Sequence, residues 1–173
     1  RGAKVTLISG PTNIQSPQNV KLIKVKTADE MLVQTNKYNK KIDVAVFCAA
    51  IADFKVKKMS NKKIKKDTLT TLKLIKNVDI LKKISTQKIN RPKFIVGFSA
   101  ETGSKILARK KLEEKNCNMI IYNKINKKNK VFGLDENKIS ILTKNKIVNY
   151  SKFSKLKCAN LIVDSIYKEI KNK

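Results

Sequence analysis

The sequence contains no histidine and no tryptophan, and its 173 residues include only five glycines, three prolines and three cysteines. Without histidine no Ser-His or Cys-His nucleophile pair can be assembled, so hydrolysis by a His-assisted triad is excluded. Cys48, Cys117 and Cys158 are odd in number and widely spaced, with no Cys-x-x-Cys pair. They predict no structural metal and point to a reducing, cytoplasmic setting. Long apolar runs are also missing: none reaches the eighteen residues or so that a membrane-spanning helix needs. The opening residues lack an initiator Met and a charged leader with an apolar stretch, and Arg1-Gly2-Ala3 reads as the tail of a glycine-capped helix. A fragment with sequence upstream is expected.

Arginine is scarce too. Only Arg1, Arg91 and Arg109 stand among 40 basic residues, which with 13 acidic ones give a net charge of +27. Such a charge ordinarily points to a nucleic acid or an anionic membrane. Here the residue that reads bases and phosphates bidentately is nearly absent, and aromatic residues for stacking make up only 6%. The lysines are strewn over every segment, and Lys, Asn and Ile share codons built of A and T. Compositional bias is the favoured reading, with no nucleic acid and no membrane as partner; a basic nucleic-acid-binding domain stands as the lesser alternative. The cationic field would still draw in polyanionic small molecules.

What the chain does contain is a succession of short apolar runs rich in β-branched residues, at 5–8, 20–25, 44–48, 94–98 and 119–122. Segments with helical spacing fall at 28–38, 79–85, 104–115 and 154–170, the last with apolar Leu156, Leu161, Val163, Ile166 and Ile170. The alternation predicts an α/β, Rossmann-like fold: a three-layer parallel sheet with helices on both faces. Two segments break the rhythm, 68–76 and the pair 139–142 and 146–148 around Thr143-Lys144-Asn145. These are expected as antiparallel additions at the sheet edge or over the site. Residues 1–173 are expected to form one nucleotide-binding domain, with 124–130 as a loop.

Ligands of such sheets sit beyond the carboxyl ends of the strands. There the sequence places Ser9-Gly10-Pro11-Thr12, equally readable as an ordinary turn, and Ala49-Ala50-Ile51-Ala52-Asp53, small residues followed by one carboxylate. Asp53 could meet ribose hydroxyls, a base amino group or a divalent ion, or simply cap a helix. Lys62-Lys63-Ile64-Lys65-Lys66 could fold over a triphosphate, although composition alone can produce such a cluster. Asn77 reads as the cap of a helix at 79–85. Gly97 inside a strand marks a close backbone approach, and Phe98 beside it could stack on a base or belong to the core. Lys111 and Lys115, four apart, share a helix face. No G-x-G-x-x-G follows any strand, which disfavours a dinucleotide oxidoreductase.

Taken in order, GAKVTLISGP, CAAIADF, KKIKK, LKLIKNVDIL, FIVGFSAET, ARKKLEEKN and IIYNKI resemble the phosphopantothenoylcysteine synthetase family, the synthetase half of a bifunctional bacterial flavoprotein of coenzyme A biosynthesis. The resemblance covers almost the whole chain. It implies a ligase that uses CTP and magnesium to join 4′-phosphopantothenate to cysteine through an acyl-cytidylate. Phe47, Cys48, Ala49, Asp53, Lys63, Val78, Asp79, Ile80, Leu81, Phe98, Lys111 and Lys115 would then meet the nucleotide. Lys63 and Ala50 would be the catalytic positions, with Lys63 on the triphosphate and Ala50 near the acyl-cytidylate. The family often has glycine at the position of Phe47 and proline at that of Val78. It also implies a homodimer and a phosphopantothenoylcysteine decarboxylase, fused or associated, with FMN confined to that partner. Upstream of Arg1 the family carries a further strand, a glycine-rich turn and a helix, which hold the intermediate's carbonyl and the substrate phosphate. Their absence here leaves open a remnant that binds nucleotide without turnover, and CTP is not distinguished from ATP.

Overall fold

The computed structural model describes residues 2–40, 42–60, 62–65, 71–102, 104–125 and 134–171. Arg1, Lys66, residues 68–70 of the expected edge strand and residues 126–130 of the expected loop lie outside the described residues. The chain divides into two compact units, one formed by Arg1–Tyr38 and Ala49–Ile80, the other by Asn39–Cys48 and Leu81–Lys173. They are called the first and second unit below.

The second unit is built on a five-stranded sheet. Its strands are β3 (Val44–Phe47), β6 (Phe94–Glu101), β7 (Met119–Lys124), β8 (Glu136–Thr143) and β9 (Ile147–Ser154), in that spatial order. The pairs β3–β6 and β6–β7 are parallel, and β8 and β9 continue the sheet antiparallel. The expected hairpin is present as an edge addition, its turn closed by the Thr143 N–H donating to the Lys146 carbonyl at 2.9 Å. Side chains alternate along the strands with period two, so each face of the sheet has its own core. Phe94, Val96, Met119, Ile121, Ile139 and Ile141 meet Cys158, Ile162 and Ile166 of helix α4 (Lys155–Lys171) on one face. Ile120, Tyr122 and Leu142 meet Ala108 and Leu112 of α3 (Lys105–Glu114) on the other. The buried stripe of α4 follows i, i+4, i+8 from Cys158, while Leu156, Val163 and Ile170, which belonged to the apolar set read from sequence, are exposed.

Gly97 of β6 has a packing reason. A Cβ there would stand 2.7 Å from Leu81 Cδ2 and 2.9 Å from Ile120 Cδ1, so the close approach read from sequence is filled by side chains of the protein itself. Leu81 and Ile84 are the buried apolar side chains of the short helix α2 (Ile80–Ser85) that lie in this unit. Arg91 fastens the end of that helix: its Nε donates to the Ser85 carbonyl at 2.8 Å and its Nη2 to the Asn116 carbonyl at 2.7 Å. A planar guanidinium can serve several carbonyls at once, which a lysine cannot. Arg109 likewise donates to a backbone carbonyl, that of Lys144, at 3.1 Å. The two arginines within the described residues are thus structural donors.

The first unit holds two small sheets and a helix. Strands β1 (Val5–Ser9) and β2 (Val20–Lys24) pair in parallel, and α1 (Ala28–Tyr38) follows. The start of α1 is capped by Thr27, whose hydroxyl accepts the Glu30 N–H at 3.1 Å, while Glu30 reaches back to the Lys26 N–H at 2.8 Å. Strands β4 (Phe54–Val56) and β5 (Leu74–Lys76) pair antiparallel as a ribbon of their own. No helix among the described residues is long and apolar enough to cross a membrane.

Candidate functional site

In the second unit the parallel strands β3, β6 and β7 run in register, with Phe47 opposite Gly97 and Gly97 opposite Ile120. Their carboxyl ends therefore lie together, where ligands of such sheets bind. Phe47 is half-buried and Cys48, the next residue, is exposed. Phe98 is half-buried and packs against the core on the α4 face, so the core reading of its ring holds for the part that packs there.

Beyond Phe98 the strand delivers Ser99 and Glu101. The Glu101 carboxylate accepts the Lys111 ammonium of α3 and, at 3.2 Å, the hydroxyl of Ser99. Lys111 holds the Glu101 carboxyl below the usual carboxylate range, against the opposing effect of burial, and the charge of Lys115 acts in the same direction. Lys111 is thus hydrogen-bonded to this carboxylate, while Lys115, expected from its spacing to share a helix face with Lys111, acts on it through its charge. Sequence reasoning gave no role to Glu101, which is separated from Lys111 by ten positions; the only signal was an acidic residue at a strand end in a chain where acids are few. At the end of β7 stands Asn123, buried, with its Oδ1 lacking a hydrogen-bond partner among the described residues. A buried, unsatisfied amide oxygen at a strand end marks this as a further polar feature of that edge.

In the first unit, residues 49–53 lead into β4. Ala49, Ala50 and Asp53 are exposed, and the backbone of 52–53 is pinned by Asn77. The Asn77 side-chain amide donates to the Ala52 carbonyl and its backbone N–H to the Asp53 carbonyl, both at 2.8 Å. Asn77 was expected to cap a helix; instead it extends the β4–β5 pairing, and the helix begins at Ile80. Val78 and Asp79 are exposed, whereas the side chains of Ile80 and, in the second unit, Leu81 are buried. Any ligand contact by the last two would be through backbone. Lys63 is exposed in a loop whose start is shaped by Ser60, its hydroxyl donating to the Lys62 carbonyl at 2.7 Å. At Ser9-Gly10-Pro11-Thr12 the hydroxyls serve the turn: Ser9 donates to the Gly10 carbonyl at 3.0 Å and Thr12 accepts the Ile14 N–H at 3.1 Å. Among the described residues no three His, Cys, Asp or Glu side chains gather as a metal-ligand set.

Comparison with known proteins gives these arrangements a context. Residues 1–170 match the family described as DNA/pantothenate metabolism flavoprotein C-terminal domain. The chain is 38% identical over 170 residues to the Coenzyme A biosynthesis bifunctional protein CoaBC of Borreliella burgdorferi, covering 96% of this chain and 42% of that protein. It is 40% identical over 168 residues to the protein of the same name from Haemophilus influenzae, with the same 96% and 42% covered. The chain thus spans about two-fifths of the length of these curated relatives. A crystal structure of the C-terminal domain of CoaBC superposes with a TM-score of 0.81 at 29% identity, covering 99% of this chain and 77% of that one. The DNA/pantothenate metabolism flavoprotein from Streptococcus pneumoniae, at 19% identity and a TM-score of 0.72 over 97% of this chain and 80% of that one, shares the fold. With a match that runs from residue 1 to residue 170, the chain belongs to the family of the DNA/pantothenate metabolism flavoprotein C-terminal domain.

Proposed function

We propose that this domain carries the ligase half-reactions of coenzyme A biosynthesis, joining 4′-phosphopantothenate to cysteine at the expense of CTP. The observation that carries the reading is the carboxyl edge of β3, β6 and β7, where Phe47, Phe98 and the paired Lys111 of the second unit stand, in a chain of this family. The substrate carboxylate attacks the α-phosphate, forming an acyl-cytidylate and releasing pyrophosphate; the cysteine amine then attacks the acyl carbon, forms the amide and expels CMP.

Phe47, Cys48, Phe98, Lys111 and Lys115 of the second unit are the proposed nucleotide contacts there, with the Leu81 backbone. In the first unit Ala49, Asp53, Val78, Asp79 and Ile80 are the proposed nucleotide contacts, and Ala50 is the proposed position beside the acyl-cytidylate. Lys63, on its exposed loop, is proposed to neutralise the triphosphate and the charge that develops on departing pyrophosphate. Magnesium suits phosphate oxygens and water as ligands, and no protein cluster for it stands among the described residues, so it would come with the nucleotide. A homodimer and a flavin-dependent decarboxylase, fused or associated, belong to the same proposal.

The test is calorimetric titration with CTP and with ATP, each with magnesium, at two salt concentrations. Saturable one-site binding that prefers CTP and disappears in Asp53→Ala and Lys63→Ala is the expected result. Base-indifferent binding that vanishes with salt would reduce the lysines to a diffuse cationic surface and sink the reading.

A further inference from the structure

Glu101 is an unexpected residue where it stands. The chain has 13 acidic residues against 40 basic ones, yet one of them faces Lys111 and Lys115, two lysines proposed above to bind a polyanion. A carboxylate there repels the ligand, and a partly exposed ion pair adds little to stability. Its geometry points to a different use.

The backbone of Glu101 is fixed at the end of β6, where its carbonyl accepts the Ile125 N–H at 2.8 Å. Ser99, two residues earlier and so on the same side of the strand, is 2% exposed and donates its hydroxyl to the same carboxylate oxygen that accepts Lys111. The carboxylate is therefore oriented from the core outward. Lys111 sits on a helix seated by buried Ala108 and Leu112, but its ammonium ends a flexible four-carbon stem. Bound to Glu101, that stem loses its freedom before any ligand arrives, and two of the three ammonium N–H donors are left for phosphate oxygens.

Resting on the ligase reading above, we propose that Glu101 is a positioning residue: held by Ser99, it presets the Lys111 ammonium for the phosphates of the nucleotide. The ordering cost of Lys111 is met during folding, so binding does not have to meet it. Glu101 remains ionised through the neutral range, because the Lys111 hydrogen bond holds its carboxyl low. The buried phenol of Tyr122 nearby is pushed up, first by burial and then by the Glu101 charge, and stays neutral.

The experiment uses the full-length protein, with pyrophosphate release at varied CTP and CTP titration as independent readouts. Glu101→Gln is expected to raise the KM for CTP five-fold or more while kcat changes less than two-fold, and to weaken CTP binding in parallel. Combined with Lys111→Ala it should be no worse than Lys111→Ala alone, since Glu101 acts through that lysine. Ser99→Ala keeps both charges, guards against a misfolded Glu101 variant, and should raise KM in the same direction by a smaller factor. Additive losses, or Glu101→Gln binding CTP as tightly as the wild type while Lys111→Ala is impaired, would overturn the positioning role and leave the ligase reading standing. A folded wild type that neither binds nor turns over CTP would bring down both.

Discussion

The two units differ in what their apolar residues do. In the first unit only Val25 and Ile80 are buried hydrophobics among the described residues, whereas β7 and β8 of the second unit are buried on both faces between α3 and α4. Several of the residues proposed for function show the same contrast. Asp53 and Lys63 of the first unit are exposed side chains on a strand approach and a loop, with no packing duty. Phe98 and Glu101 of the second unit are tied into the core or to a buried hydroxyl. For these residues the second unit adds a packing constraint that the first does not.

The largest effect expected from this contrast is on stability. Phe94→Ala in the second unit removes a side chain that is 2% exposed, and should cost about 3–5 kcal/mol in urea denaturation. Leu7→Ala in β1 is only half-buried, and should stay below about 2 kcal/mol. Equal costs would break the contrast. Arg91→Lys, which gives up a guanidinium serving the Ser85 and Asn116 carbonyls, should cost about 1.5–3 kcal/mol by the same measurement. Gly97→Ala drives a Cβ against Leu81 and Ile120, a strain of about 1–3 kcal/mol. Leu81→Ala in that background should be less damaging than in the wild type, because it opens the space the new Cβ needs. In the first unit Asp53→Ala and Lys63→Ala should leave stability within about 0.5 kcal/mol of wild type, even though CTP titration is expected to lose its signal. An unfolding midpoint that fell as far as that of Arg91→Lys would mean these residues pack after all.

How far each unit was legible in the sequence follows the same physics. Helix α1 was read at its observed bounds, Ala28–Tyr38, because helical spacing is a local signal carried within the segment itself. The strands of the second unit were legible as β-branched runs, and the β8–β9 hairpin from its turn. Strand β4 was not, since three residues carry no period and its partner β5 lies about twenty positions on. The roles of Asn77, Arg91 and Glu101 were hidden for the same reason: each is defined by partners that the fold, not the local sequence, brings near. Gly97 was the half-readable case. Its type announced a close approach, but only the packed structure names Leu81 as what approaches.

A further small effect isolates Glu101, an acid that the second unit ties to its core through Ser99. The Glu101 carboxyl is held below its ordinary value of 4.5 in the folded chain, first by the Lys111 hydrogen bond. A depressed folded value means that the ionised form favours folding: the contribution is complete above the ordinary range and is lost as pH falls through the lower, folded value. Other carboxyls titrate in the same window, and protonating them raises an already large positive charge, so wild type alone would not reveal Glu101. The difference between wild type and Glu101→Gln does, because every other group is common to both. That difference in unfolding free energy should be about 0.2–1 kcal/mol at neutral pH, the range of a partly exposed pair. It should shrink toward zero below the ordinary carboxylate range and weaken at high salt. A difference that persisted unchanged in acid would mean that the Lys111–Glu101 pair does not hold in solution, and with it would go the physical basis for a preset lysine.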